Sequence, residues 1–147
     1  MTRITMGYPS RDSELEMLER HGAHNPLDEL YPVTHGERIT ELIDVVGSVY
    51  VADVVKDYLV NIVAATRSHD AVRLGASPRA SLHLIRTARA KAALAGRDYV
   101  IPDDVQAMAI PVLAHRLLPS TRAQLDGISP VDIVSQILTS TPVPEQA

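Results

Sequence analysis

The sequence predicts an all-α fold, a small helical bundle of about six helices with short extended connectors. Apolar residues recur at helical spacing in most segments, and most of these segments begin at a capping residue or a proline. The chain has five tyrosines but no phenylalanine and no tryptophan, so its core has to be built from aliphatic side chains. Its 147 residues are enough for one domain with a hydrophobic core.

The first nine residues have a different pattern from the rest of the chain. Ile4 and Met6 alternate with polar residues, and the alternation stops at Gly7 and Pro9. We interpret residues 1–9 as the remnant of a strand whose sheet lies outside this sequence, because a lone strand has no partners for its backbone. On this interpretation the chain is part of a longer protein.

Two helices are predicted in the N-terminal third. Ser10 caps the first, which carries Leu15 and Leu18 on one face and ends near Gly22. A linker containing several prolines then leads to a second helix from about Glu37. The apolar stripe of this second helix is Ile39, Leu42, Ile43 and Val46. The segment Gly-Ser-Val-Tyr-Val that follows is predicted to form a short extended bridge.

Two longer helices come next. Asp53 opens one that ends near Ser68 and His69, and Ser77 caps another that begins at Pro78 and ends at Gly96. The apolar stripe predicted for the first is Val54, Tyr58, Ile62 and Ala65. The apolar side predicted for the second is Leu82, Ile85, Ala88, Ala92 and Ala95.

The last two predicted helices have acidic first turns, as the helix dipole favours. One begins at Pro102 with the stripe Val105, Met108, Ala109, Val112 and Leu113, and Pro111 is expected to kink it. The other begins at the capping signature Ser129, Pro130 and Asp132, and its stripe is Ile133, Val134, Ile137 and Leu138. Residues 10–140 are therefore predicted to form the helical domain, with residues 141–147 as a flexible tail.

Arg79 is the unusual residue in this pattern. It falls in the first turn of the helix that begins at Pro78, where the positive end of the helix dipole favours acids. A solvated arginine there would cost about 0.3–1 kcal/mol. Alternatively, the helix start and the guanidinium bind an anion together. His83 and Arg86 share the helix face with Arg79, so this face is either an ordinary polar surface or an anion site that His83 assists.

Charge is distributed unevenly along a chain whose net charge is −4. From Arg11 to Asp57 there are eleven acids and four bases, whereas the segment from Ala71 to Arg97 has six bases and no acid. Such a basic segment either packs beside the acidic helices or binds an anionic partner. The acidic balance of the whole chain and the lack of aromatic residues on the basic helix argue against nucleic acid.

Several classes of function lack their sequence signals. The chain has no cysteine, which excludes disulfides and thiolate metal sites and is consistent with the cytoplasm. His21 and His24 have no acid placed to complete a site, so no metal is predicted. No G-x-x-x-x-G-K-S/T loop and no G-x-S-x-G turn is present. No apolar stretch is long enough for a membrane span.

Four segments taken together resemble one bacterial family. They are GYPSRDSELEML (7–18), YVADVVKDYLVNIVAATRSH (50–69), LGASPRASLHLIRTARAKAALAGRDYVIPDDV (74–105) and VLAHRL (112–117). In this order and spacing they resemble the C-terminal part of MoxR-type AAA+ ATPases. The resemblance covers nearly the whole chain.

The resemblance implies that the chain is the helical lid that follows the nucleotide-binding core of such an ATPase. Arg79 matches the sensor 2 arginine, which reaches the terminal phosphates of ATP. The nucleotide-binding residues implied for this chain are Gly7, Tyr8, Pro9, Ser77, Pro78, Arg79 and His83. The P-loop and the acids that hold ATP and Mg²⁺ would precede Met1. We therefore expect ATP hydrolysis from the parent protein and none from this chain alone.

Partners are implied in the same way. MoxR-type ATPases are chaperone-like factors that mature or activate other protein complexes, assemble into rings that are commonly hexamers, and often work with von Willebrand A domain proteins. The expected partners are therefore the core domain, neighbouring subunits and such proteins. An alternative from another class is a stand-alone helical adaptor, which would bind an acidic protein through its basic residues between Arg73 and Arg97.

Overall fold

A computed structural model describes residues 2–21 and 26–144. Over these ranges the chain is mainly helical, as the sequence predicts. The α-helices are α1 (Arg11–His21), α2 (Gly36–Ser48), α3 (Asp53–Ser68), α4 (Pro78–Leu94), α5 (Pro102–Leu113), α6 (Thr121–Leu125) and α7 (Pro130–Ser140). Two short strands, β1 (Val72–Leu74) and β2 (Leu118–Pro119), form an antiparallel pair, and there are 3₁₀-helices at Pro26–Glu29 and Ala114–Arg116.

The chain divides into two compact units. One comprises Ile4–Leu42 and contains α1, the first 3₁₀-helix and the beginning of α2. The other comprises Met1–Arg3 and Ile43–Ala147 and contains α3 to α7 with both strands.

The core of the larger unit is aliphatic. In this unit α4 packs against α3 and α5, and α7 packs against the same two helices. The largest side chains that are fully buried include Ile62 of α3, Leu84 of α4, Leu113 of α5 and Ile133 of α7. Burying each such side chain contributes about 1.5–3 kcal/mol, so these helix faces supply most of the driving force for folding.

The connection between α4 and α5 contains a buried ion pair. The Arg97 guanidinium donates two hydrogen bonds of 2.7 Å to the carboxylate of Asp104, whose side chain is 2% exposed. Arg97 also donates to the Tyr99 carbonyl oxygen, and the Ile101 N–H donates to Asp104 at 3.0 Å. The ion pair within the motif G-R-x-Y-V-x-P-x-D therefore fixes the start of α5 to the end of α4.

The N-terminal residues form no strand. Thr2–Pro9 have no regular secondary structure, so the remnant strand proposed for residues 1–9 stays a prediction. Ser10 caps α1 as expected, because its hydroxyl accepts from the Ser13 N–H at 3.2 Å. The described side chains of α1 are all exposed, including Leu15 and Leu18. The predicted end near Gly22 lies outside the described residues. Residues 141–144 have no regular structure, and the rest of the predicted tail is not among the residues described.

Helices α5 and α7 begin where the sequence predicts, and their predicted stripes are buried or half-buried. Pro111 lies inside α5, which ends two residues later and continues into the second 3₁₀-helix. The predicted extended bridge is partly wrong, because α2 continues through Gly47 and Ser48, and only Tyr50 forms a β-bridge, with Tyr99.

Two predicted helix faces are also partly wrong. In α3, Val54 is 56% exposed, and the buried face uses Val55 and Leu59 beside Tyr58 and Ile62. In α4, Leu82 is 55% exposed, and Ala95, which is exposed, lies just after the last residue of the helix. The buried line of α4 is Ala80, Leu84, Ala88 and Ala92. The core of the bundle excludes Leu82 because this residue lies on the same exposed side of the helix as Arg79.

Candidate functional site

The predicted site is centred on the first turn of α4. Ser77 occupies the N-cap position with extended backbone, and Pro78 follows at the first helical position, as the sequence predicts. However, the Ser77 side chain accepts no capping hydrogen bond from the helix. Arg79 is exposed, and within the described residues it has no hydrogen bond and no ion pair. The first turn of α4 contains no acid, so the positive end of the helix faces solvent together with a guanidinium.

Helices α5 and α7 also begin with proline, but their starts are completed by their own acids. The Asp104 carboxylate accepts from the Ile101 N–H at 3.0 Å, and Asp132 accepts from the Ser129 N–H at 2.9 Å. The Ser129 hydroxyl in turn accepts from the Asp132 N–H. No equivalent bonds close the start of α4 within the described chain.

His83 lies one turn after Arg79 on α4, between the exposed side that carries Arg79 and the buried line of the helix. It is half-buried, and its pKa is lowered below the ordinary value for histidine. Burial is the main cause, and the guanidinium charges of Arg116, Arg86 and Arg79 add to it. The lowered pKa favours the neutral imidazole near pH 7, so the positive charge of this face comes from the arginines.

The loop before α4 is attached to the last turn of α3. The Ala76 N–H donates to the Thr66 hydroxyl oxygen at 2.9 Å, and the Thr66 hydroxyl donates to the Val63 carbonyl oxygen at 2.6 Å. Arg67 Nε donates to the Ala76 carbonyl oxygen at 2.8 Å. Gly75 approaches α3 so closely that an added Cβ would lie 2.6 Å from the Thr66 carbonyl oxygen. Sequence reasoning did not single out Thr66, Arg67 or Gly75 as site residues.

The six bases of the segment from Ala71 to Arg97 do not form one basic face. Arg97 is paired with Asp104, and Arg89 is half-buried with a buried Nε that lacks a partner in the described structure. Arg73 lies on β1 rather than on α4. Arg79 and Arg86 share a face with His83, whereas Lys91 faces a different direction on the helix.

Gly7, Tyr8 and Pro9 are exposed, and Gly7 has a positive φ of 71°. They belong to the unit Ile4–Leu42, whereas Ser77, Pro78, Arg79 and His83 belong to the larger unit. Their joint role in one nucleotide site therefore stays a prediction.

Among the described residues, no three or more histidine and acidic side chains are grouped so that they could hold a metal ion. In the described ranges, no helix has both the length and the apolar character that crossing a membrane requires.

A family model described as the AAA lid domain matches residues 64–137, from the last turns of α3 to α7. The chain is 41% identical over 144 residues to the uncharacterised protein YeaC of Bacillus subtilis, covering 98% of this chain and 45% of YeaC. It is 35% identical over 152 residues to the chaperone MoxR1 of Mycobacterium tuberculosis, covering 97% of this chain and 40% of that protein.

The fold has a counterpart among solved structures. The crystal structure of a proposed ATPase from Cytophaga hutchinsonii matches with a TM-score of 0.84 and 28% identity, over 99% of this chain and 47% of that one. The chain therefore spans less than half the length of the relatives that match nearly all of it.

Proposed function

This chain belongs to the AAA lid domain family, and we propose that it is the lid of a MoxR-like AAA+ ATPase in which Arg79 contacts the terminal phosphates of bound ATP. ATP and its Mg²⁺ would be held mainly by a core domain outside this chain. The observation that carries the proposal is the open start of α4. An exposed arginine lies in an acid-free first turn and has no partner among the described residues.

The residues at the start of α4 fit a phosphate group. The guanidinium is always charged and offers several N–H donors in a fixed plane that matches phosphate oxygens. The first backbone N–H groups of a helix lack partners inside the helix and point along the axis toward an anion. Pro78 has no N–H to satisfy, and neither it nor Ser77 brings a negative charge that would repel phosphate.

The packing of α4 gives the contact a mechanical consequence. α4 lies against both α3 and α5, and α7 packs on the same two helices. A force on the first turn of α4 is therefore transmitted to the bundle as a whole. In our proposal Arg79 pulls the lid toward the core when the terminal phosphate is present, which couples nucleotide state to lid position and to neighbouring subunits in a ring. Chaperone-like action on partner complexes, including von Willebrand A domain proteins, would follow from that movement.

The experiment is the substitution Arg79→Ala in the full-length gene product. We expect ATP turnover to fall at least tenfold, roughly 1.4 kcal/mol of barrier, because a charge that stabilises the phosphates is removed. The matched control is Arg86→Ala, which removes an exposed arginine from the same face two turns further along α4. It should leave turnover within about twofold of the unaltered protein.

If Arg79→Ala lowers ATP turnover no more than Arg86→Ala does, Arg79 has no special role in the mechanism. The adaptor alternative predicts a different result, in which the chain binds an acidic protein without nucleotide and loses affinity as salt is raised. The structure offers that alternative only a small basic surface, since Arg97 is paired and Arg89 is half-buried.

A further inference from the structure

We propose that Thr66, with Arg67 and Gly75, is a positioning residue that sets the start of α4, and with it Arg79, against the last turn of α3. This inference rests on the proposed function of Arg79. None of the three residues needs to touch nucleotide, because their contacts are with the loop that leads into α4.

The contacts fix two successive peptide groups. The N–H of Ala76 belongs to the peptide that joins it to Gly75, and its carbonyl belongs to the peptide that joins it to Ser77. Thr66 holds the first and Arg67 holds the second. With both peptide planes fixed, the backbone dihedral angles of Ala76 are fixed as well. Arg79 follows only three residues later, so these two bonds fix the backbone that leads directly into its helix turn.

The Thr66 hydroxyl is suited to this role because of its two bonds. Its one hydrogen is donated to the Val63 carbonyl oxygen inside α3, which leaves its lone pairs to accept from Ala76. Thr66 is 0% exposed and Ala76 is 1% exposed, so water cannot replace the hydroxyl as acceptor. Serine could make both bonds, whereas valine has the shape of threonine without either.

Gly75 contributes by its small size. Its φ does not lie in the positive range that requires glycine, so conformation alone does not explain the residue. The reason is space, since a Cβ would lie 2.6–2.8 Å from backbone atoms of Thr66 and Arg67. Backbone atoms of a packed helix cannot move aside cheaply, so any side chain at position 75 would push the loop away from α3.

These contacts connect the loop before Arg79 to a fully buried part of the domain core. α3 is packed against α4, α5 and α7, and Ile62 and Val63 in the turn before Thr66 are 0% exposed. An exposed arginine on a loosely held helix end would sample many positions. A misplacement of about 1 Å can cost a large factor in rate even when every contacting group is present.

The first test uses this chain without nucleotide. Thr66→Val should speed hydrogen exchange of the Ala76 amide at least tenfold, because its acceptor is lost, while Thr66→Ser should leave it nearly unchanged. Thr87→Val is the matched control, since the Thr87 hydroxyl donates only to carbonyls of its own helix, those of His83 and Leu84. Unchanged exchange at Ala76 in Thr66→Val would overturn the inference.

The second test separates positioning from general destabilisation. In the full-length gene product, Thr66→Val should lower ATP turnover about tenfold with Arg79 present and have almost no further effect with Arg79→Ala. Equal losses in both backgrounds would show that Thr66 acts only through stability, and would overturn the inference without touching the role of Arg79. If Arg79→Ala alone has no effect, the proposed function fails instead.

A second variant covers the case in which Thr66→Val does not fold. Arg67 is exposed, so Arg67→Met should leave the fold intact while removing the bond to the Ala76 carbonyl. We expect turnover to fall about threefold with Arg79 present and to be unaffected in the Arg79→Ala background. Full turnover in Arg67→Met, or an equal loss in both backgrounds, would contradict the inference.

Discussion

The starts of α4 and α5 have similar sequences, but they differ in whether their charged residues find partners within the chain. Each has extended backbone at the N-cap followed by proline. At α5 the next residues are acids, and Asp104 is buried, accepts from the Ile101 N–H and pairs with Arg97. At α4 the next residue is Arg79, which is exposed and finds no partner in the described part of the chain.

The difference shows which of the two helix starts serves the fold. The start of α5 satisfies its own backbone and charge, so it contributes to stability without any ligand. The start of α4 leaves its dipole uncompensated and adds a positive charge to it, which is unfavourable for the isolated chain. Such an arrangement becomes favourable when an anion approaches from outside, as the proposed ATP site requires.

The largest expected effect is on the α5 side of this comparison. Asp104→Ala should lower the free energy of unfolding by about 2–3 kcal/mol, because it leaves Arg97 without its partner in a largely buried position. Arg97 is 24% exposed, which keeps the loss below that of a fully buried pair. Arg79→Ala should change the same quantity by less than about 0.5 kcal/mol. Urea unfolding of the chain measures both, and similar losses for the two variants would contradict the comparison.

Lowering the pH is expected to have a smaller effect on the free energy of unfolding. Burial opposes ionisation of Asp104, but hydrogen bonds from Arg97 and the Ile101 N–H and the charge of Arg97 outweigh it and lower the pKa of this carboxyl. The stabilisation is therefore fully present above the unfolded pKa of about 4 and is lost as pH falls through the folded value. Asp132, whose pKa is lowered by hydrogen bonds from Ser129, adds to the same trend.

The acid effect is measured by urea unfolding between pH 5 and pH 2. Stability should fall over this range, and Asp104→Asn should flatten the fall, since an amide has no proton to take up. If the stability of the Asp104→Asn chain falls with pH as steeply as that of the unaltered chain, the Asp104 carboxyl does not cause the loss.

The smallest effect tests the α4 side directly. Arg79→Glu should raise the free energy of unfolding by about 0.3–1 kcal/mol, because it places an acid where the dipole favours one and removes a base. Arg86→Glu, in the middle of the same helix, should give no comparable gain. A loss of stability in Arg79→Glu, measured by thermal unfolding, would mean that the arginine already has a stabilising role in the chain.

Local signals explain what could be predicted from sequence. Proline, serine and aspartate mark the starts of α5 and α7 by chemistry that acts within four residues, and the structure confirms these starts. The buried faces of α3 and α4 are harder to predict from sequence, because apolar residues lie on several sides of both helices. Only packing decides that Leu84 is buried and Leu82 is not. The β1–β2 pair and α6 depend on contacts between distant or very short segments, and neither was predicted.

The residues of the site differ in the same way, by whether their signal is local in the sequence. Arg79 can be identified from the sequence because it lies where helix starts usually have an acid, and this is visible from neighbouring residues alone. Thr66 cannot be identified in this way, because nothing near a threonine inside a helix indicates that it bonds to a loop ten residues away. Gly75 could have been noticed only if the close approach of its backbone to Thr66 and Arg67 were known.

The most direct measurement is a crystal structure of the full-length gene product with Mg²⁺ and a non-hydrolysable ATP analogue. If Arg79 binds the nucleotide, its guanidinium nitrogens should lie within about 3 Å of terminal phosphate oxygens, at the open start of α4. An Arg79 side chain that stays in solvent, or that pairs with a carboxylate while the phosphates are bound elsewhere, would contradict it.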